Sequence, residues 1–249
     1  MSVFGFIYKT IKKIIQMYNI YLNMSYTAFL FMTFLRIVDC PHAFYSTYPD
    51  SLNTTKEAPY LSEQERAVIF EMNKVRANPV RYANEVIAPF KERFSDPSDA
   101  FIYITSDGDR IRTKEGLAAI DECIRVLKST EPMGMLVPSA GMSKAARAHV
   151  ADQERSGKTG HSGRDGSTPW KRMERYGKWL GTCGENIDYG NADGVSIIIS
   201  LLVDDGVSSR GHRKSILNPR FNVVGTAIGS HPQYKHMCVI GYAAGYIEK

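Results

Sequence analysis

The order of helical and strand-like runs predicts an α+β chain, a three-layer α/β/α sandwich around a small, mostly antiparallel sheet. Three observations carry this. Helical spacing of apolar residues prevails up to His161, short apolar runs with strand character follow it, and the last two runs lie close enough in sequence to form a hairpin. The helices that precede and flank the strands would cover both faces of the sheet. No internal repeat appears at periods of 20 to 50 residues.

The first helix is predicted from the capping box of Ser62 and Glu65, with Val68, Met72 and Val75 at helical spacing and a stop at Asn78-Pro79. A second helical run goes from Pro79 through Tyr82 and Val86. Asp96 to Arg112 is polar and turn-rich, with a short strand expected at Phe101 to Thr105. Thr113 is expected to cap a helix carrying Leu117, Ile120 and Ile124, which Pro132 ends. Ser139 is expected to cap a small-residue helix, Gly141 to Ser156, whose Ala145, Ala146, His149 and Val150 allow close packing; Gly157 and Gly160 break it before His161. After that come a short helix near Trp170 to Tyr176, a strand at Glu185 to Tyr189 and an apolar helix at Ala192 to Val203. A polar loop is expected at Ser208 to Pro219. Val223 to Ile228 and Met237 to Ala243 read as a hairpin with a long connection, Gly229 to His236.

The ends of the chain differ in character. Ile14 to Leu35 carries no charge, follows three lysines and precedes Arg36, the arrangement of a signal peptide or signal anchor over residues 1–43. Residues 44–60 read as a linker rich in Ser, Thr, Pro and Tyr, containing the sequon Asn53-Thr54-Thr55. Residues 61–249 form the domain. Lys plus Arg outnumber Asp plus Glu by 31 to 26 overall and by 27 to 25 beyond Ala43, so the domain carries no polyanion-binding field and nucleic acid is excluded as the expected partner. Four cysteines do not make a disulfide framework. A bridge between Cys183 and Cys238, each in a strand-like run, is geometrically conceivable, and Cys123 reads as a buried thiol.

Polar chemistry concentrates in three runs where a titratable group sits beside glycine: Gly160-His161-Ser162-Gly163, Gly184-Glu185-Asn186-Ile187 and Ser209-Arg210-Gly211-His212-Arg213. Two imidazoles and two carboxylates, Asp204 supplying the second, could hold Zn²⁺ with a position left for water, or act as base and orienting acid. Asp204 and Asp205 end an apolar helix, where a carboxylate opposes the helix dipole unless a cation or donor compensates. Ser162 beside His161 is not a triad, since adjacency in sequence is not hydrogen-bonding geometry. His149 reads as a core or rim hydrogen-bonding residue, with His231 and His236 flanking the hairpin connection. Arg210, Arg213 and Lys214 make a basic edge that reads as a solvated loop in preference to an anion site.

These runs resemble the CAP superfamily, or SCP domain, which includes pathogenesis-related proteins, venom allergens and cysteine-rich secretory proteins. The resemblance spans Leu61 to Tyr246 and rests on five segments in order: MNKVRANPVRYA from Met72, HSGRDGS from His161, GENI from Gly184, DDGVSSRGHR from Asp204 and VVGTAIG from Val223. The spacing between His161 and Glu185 resembles the bacterial-type members. The resemblance implies an α/β/α sandwich and a cleft with two histidines and two acids, matched by His161, Glu185, Asp204 and His212. Asp204 stands where the family commonly has Glu, and the missing methylene draws the carboxylate back by about 1.5 Å, against the about 2.0 to 2.2 Å that Zn–O bonding wants. The expected activity is that of a secreted binding or interaction module, with zinc or another divalent cation in the cleft and a lipid, sterol or protein as partner. The alternative is a metal-dependent hydrolase in which Glu185 activates water. Fold analogy does not decide between them.

Overall fold

The computed structural model describes Tyr48 to Lys249, apart from residues 97, 106 and 107. The leader and Cys40 lie outside the described residues. Among those described, no helix is long and apolar enough to cross a membrane.

Helix α1 (Glu63–Ala77) starts at the capping box expected for it: Ser62 accepts from Glu65 N, and the Glu65 carboxylate accepts from Ser62 N. Asn78 caps α2 (Pro79–Tyr82), which continues through a π-helical turn at Ala83–Ile87 and Ala88–Phe90. A two-stranded hairpin follows, β1 (Ile102–Ile104) with β2 (Arg110–Arg112). Helix α3 (Leu117–Lys128) begins later than expected, because Thr113 accepts from Gly116 N in a turn and Gly116, with φ 60, takes the N-cap position. After β3 (Val137–Pro138) come α4 (Ala140–Ser156), α5 (Pro169–Glu174) and β4 (Gly177–Tyr189). Helix α6 (Gly194–Val203), helix α7 (Gly211–Ile216) and the strands β5 (Val223–His231) and β6 (Lys235–Glu248) complete the chain.

The main sheet has the order β3-β5-β6-β4, parallel between β3 and β5 and antiparallel elsewhere. Its side chains alternate between two cores, as a pleated strand requires. Val224, Cys238, Ile240 and Tyr242 pack with α1, α3 and α6. Ala227, Met237, Val239 and Ile187 face α4 instead. Helices therefore cover both faces, and the architecture is the α/β/α sandwich.

The small-residue helix α4 lies against β5 so closely that a Cβ at Gly225 would sit 2.2 Å from the Met142 carbonyl carbon. That contact explains why β5 carries a glycine there.

Four expectations need correction. The region read as a linker is packed from Tyr48 on: Leu52, Thr55 and Ala58 are buried, and Asn73 Nδ2 donates to the Leu52 and Leu136 carbonyls. The polar loop at Ser208 to Pro219 contains α7, whose buried side chains, Arg213 and Ile216, are three residues apart on one face. The hairpin connection is only Pro232 to Tyr234, closed by Lys235 at φ 66, because both strands run on past their apolar cores. Finally, Cys123, Cys183 and Cys238 are free thiols. Cys183 pairs across the strands with Ala243 and Cys238 with Asp188, five positions apart along β4, so their Cα atoms lie far beyond the roughly 7 Å a disulfide spans.

Arg76 in α1 organises the loops around this frame. It is fully buried, and its guanidinium donates to the carbonyls of Gly134, Ile216, Asn218 and Phe221 at 2.7 to 2.9 Å. Burial lowers its pKa to about 10, still far above neutrality, so it stays charged. Arg76→Met would leave four carbonyls without a donor, at about 1 to 3 kcal/mol for each buried group left unsatisfied. The expected result in urea unfolding is a stability loss above about 3 kcal/mol, and a loss under about 1 kcal/mol would refute this role. Peptide mapping under non-reducing conditions should find no fragment joining Cys183 to Cys238.

Candidate functional site

Each candidate histidine is held by one carboxylate. His161 Nδ1 lies 2.9 Å from Glu185 Oε1, and His212 Nδ1 lies 2.7 Å from Asp204 Oδ1. A carboxylate only accepts, so each ring donates from Nδ1, and neither Nε2 has a hydrogen-bond partner among the described residues. The His161 side chain is 50% exposed and that of His212 28%, whereas Glu185 and Asp204 are buried. The result is two dyads with acids inside and imidazole edges outside.

The first dyad rests on Arg172 of α5. Its Nη2 donates to both Glu185 oxygens, at 3.0 and 2.7 Å, and its Nη1 donates to the carbonyls of His161 and Ser167. Just upstream, Gly160, with φ 98, is bound on both sides of its peptide. Its N–H donates to the Tyr189 hydroxyl, and its carbonyl accepts from Gln153 and lies 2.9 Å from His149 Nε2. His149 is thus a core residue, its Nε2 lying 2.9 Å from both the Gly160 carbonyl and Gln153 Nε2; burial, and then the charge of Arg172, lower its pKa.

The second dyad is built at the junction of α6 and α7. Asp204 ends α6 in the left-handed region, φ 55, and its Oδ2 accepts from His212 N while Oδ1 takes the ring. One short side chain therefore serves both the first turn of α7 and the imidazole. The opposing α6 dipole is answered by cations: Arg213 donates to the Leu202 and Val203 carbonyls and Arg210 to the Asp204 carbonyl. Glu115 and Glu122 of the α3 region pair with these arginines. Arg210 and Arg213 are thus internal braces, correcting the reading of a solvated basic edge. Asp205 belongs to the same brace, accepting from Lys114 N and Glu115 N, away from the histidines.

Strand β4 joins the two halves. Glu185 and Asn186 are successive residues and point to opposite faces of the sheet, and Asn186 Nδ2 donates to the His212 carbonyl and to Tyr242 Oη.

The four expected residues consequently meet as two pairs and not as one cage. Among the described residues, no group of three or more His, Cys, Asp and Glu could hold a metal ion. A four-ligand zinc site does not fit this donor set, because Glu185 is committed to Arg172 and Asp204 to His212. Ser162 makes no hydrogen bond to an imidazole, so no serine-type dyad forms among the described residues.

Arg172, Gln153, Tyr189 and Asn186 belong to the site and were not among the expected residues. The run Pro169-Trp170-Lys171-Arg172-Met173-Glu174-Arg175 holds four charges within five positions, and composition does not show which one turns inward.

The family model for the cysteine-rich secretory protein family, CAP, matches residues 71–242, more than half of the chain. The chain belongs to the CAP family. It is similar to the uncharacterized protein YkwD of Bacillus subtilis (strain 168), 32% identical over 84 residues, a match covering 34% of this chain and 31% of that relative. The chain thus matches less than a third of the length of this relative. Among solved structures it is similar to an extracellular SCP-domain protein of Bacillus anthracis, with 23% identity, a TM-score of 0.34, and coverage of 53% of this chain and 38% of that one. It is also similar to an outer surface protein of Borrelia burgdorferi, with 14% identity, a TM-score of 0.38, and coverage of 47% of this chain and 80% of that one.

Asp188 lies two residues beyond Asn186, on the same face of β4. It is 3% exposed and accepts from Asn191, and desolvation pushes its pKa up from 3.8 to about 7. A carboxyl whose folded pKa exceeds its unfolded value binds more protons when folded, so stability is lost as pH rises from about 4 through about 7. Asp188→Asn should flatten the thermal-midpoint curve across that window. An unchanged slope would show that Asp188 does not set it.

Proposed function

We propose that this CAP-family chain is an exported binding module and not a hydrolase, and that its ligand is met by the outward Nε2 atoms of His161 and His212. The observation that carries this reading is the state of Glu185. A general base must come within about 2.6 to 3.2 Å of the water it activates. The Glu185 side chain is 4% exposed and accepts from Arg172 at both oxygens, so it lacks both access and freedom.

An imidazole nitrogen without a proton accepts a hydrogen bond. The ligand therefore presents a donor at that point, as a sterol hydroxyl, a hydroxyl- or amine-bearing lipid headgroup or the amides of a protein segment do. The lysine-flanked apolar leader supports export, with the tether kept or cleaved.

The test combines turnover and binding. Purified protein, metal-free and zinc-loaded, is assayed against peptide and ester substrates, and sterol- and phospholipid-containing vesicles are assayed for binding to it and to the His161→Ala/His212→Ala variant. The expected outcome is no turnover under either condition and binding reduced at least tenfold in the double variant. Hydrolysis that disappears in Glu185→Gln would establish the hydrolase instead.

A further inference from the structure

Arg172 reaches His161 by two routes at once. Nη1 donates to the carbonyl of His161 itself at 2.9 Å, while Nη2 holds the carboxylate to which the His161 ring is bonded. Backbone and ring of the same residue are thus referred to one guanidinium. That guanidinium is itself buried: its side chain is 3% exposed, and Ser167 supplies a further carbonyl at 3.0 Å.

The charge balance gives this arrangement a consequence for the exposed nitrogen. Glu185 is a buried carboxylate, and a buried charge requires a partner. Arg172 supplies the positive charge, so the imidazole need not. Glu185 then remains a pure acceptor and fixes the proton of His161 on Nδ1, leaving Nε2 bare.

Without Arg172 the same carboxylate has two ways to be neutralised. It takes a proton and donates it towards Nδ1, which moves the ring proton to Nε2, or it draws a second proton onto the ring. Both outcomes put a proton on Nε2 and remove its acceptor lone pair. The second dyad satisfies its buried carboxylate differently, with a main-chain N–H at the start of α7 in place of a guanidinium. The Asp204 carboxylate accepts from the backbone and ring of His212, and Arg210 reaches the Asp204 main-chain carbonyl, not the carboxylate.

We infer that Arg172 is a positioning residue that keeps His161 in the Nδ1–H tautomer and so keeps its exposed Nε2 able to accept a hydrogen bond, a role that His212 fulfils without an arginine. The inference rests on the reading of His161 as a ligand-contacting group. Its test is made on the free protein, so a failure to find a ligand leaves the result intact.

The experiment is two-bond ¹H–¹⁵N correlation spectroscopy of the imidazoles in the full chain, at one fixed, mildly alkaline pH. It compares wild type with Arg172→Met, Arg172→Lys and Glu185→Gln, with His161 assigned through the signal lost in His161→Gln. In wild type the expected His161 pattern is Nδ1 protonated and Nε2 bare. In Arg172→Met the Nε2 signal should move to its protonated position, while His212 is unchanged. Arg172→Lys, which keeps the charge but can reach only one of the two partners, should retain the wild-type tautomer with a broadened signal. In Glu185→Gln the single tautomer should give way to a mixture.

A wild-type His161 with its proton on Nε2 overturns the inference without any variant, which keeps it falsifiable if Arg172→Met does not fold. An unchanged His161 pattern in a folded Arg172→Met overturns it equally.

Discussion

The pleat of one edge strand divides and joins everything at this site. Side chains of successive strand residues leave on opposite faces, so Glu185 goes to the α5 side and Asn186 to the α7 side of β4. Each then engages a histidine that arrives from a loop or a short helix, one by its ring and the other by its main-chain carbonyl. A slip of one residue in the pairing of β4 with β6 would exchange the two faces and undo both contacts. The register is held by eleven cross-strand partners, from Gly177 opposite Glu248 to Tyr189 opposite Met237. The sheet core and the site are therefore specified by the same alignment.

Arginine does most of the remaining holding, and it does so through carbonyl groups. Arg76, Arg172 and Arg213 are each buried and together donate to the loop or helix-end carbonyls of Gly134, His161, Ser167, Leu202, Val203, Ile216, Asn218 and Phe221. Loops and helix ends carry backbone acceptors that regular structure does not satisfy. A planar guanidinium with five donors can gather several of them at once. Arg213 adds a second effect: at the end of α6 it opposes the helix dipole that would otherwise disfavour the neighbouring Asp204. Asp204 is then free to cap α7 and orient His212.

This division of labour explains the chemical character of the site. The acids are engaged inside the protein, by arginine and by imidazole Nδ1, and only imidazole edges reach solvent. The proposed binding role rests on this arrangement. Membership of the CAP family does not by itself fix an activity.

Several features were legible in the sequence for local reasons. The capping box of Ser62 and Glu65, the period of Val68, Met72 and Val75, and the small residues of α4 each state their own structure within a few positions. The four candidate residues were also legible, as glycine-flanked polar runs and through the family resemblance. Three things were not. The helix at Gly211–Ile216 has an arginine where an apolar residue would have revealed it, and the segment from Tyr48 is polar in composition yet anchored by Asn73. The partners of Glu185 and Asp204 were hidden as well, since Arg172 is one of four charges in a single short run.

The sequence by itself determined the order of elements, the two histidines and the two acids, because these follow from short-range periodicity and residue type. Only the tertiary structure decided that the acids pair inward and that the site is two dyads and not a cage. Which side of each ring and carboxylate is taken depends on guanidinium and amide groups brought in from elements distant along the chain, and no local pattern encodes that distance.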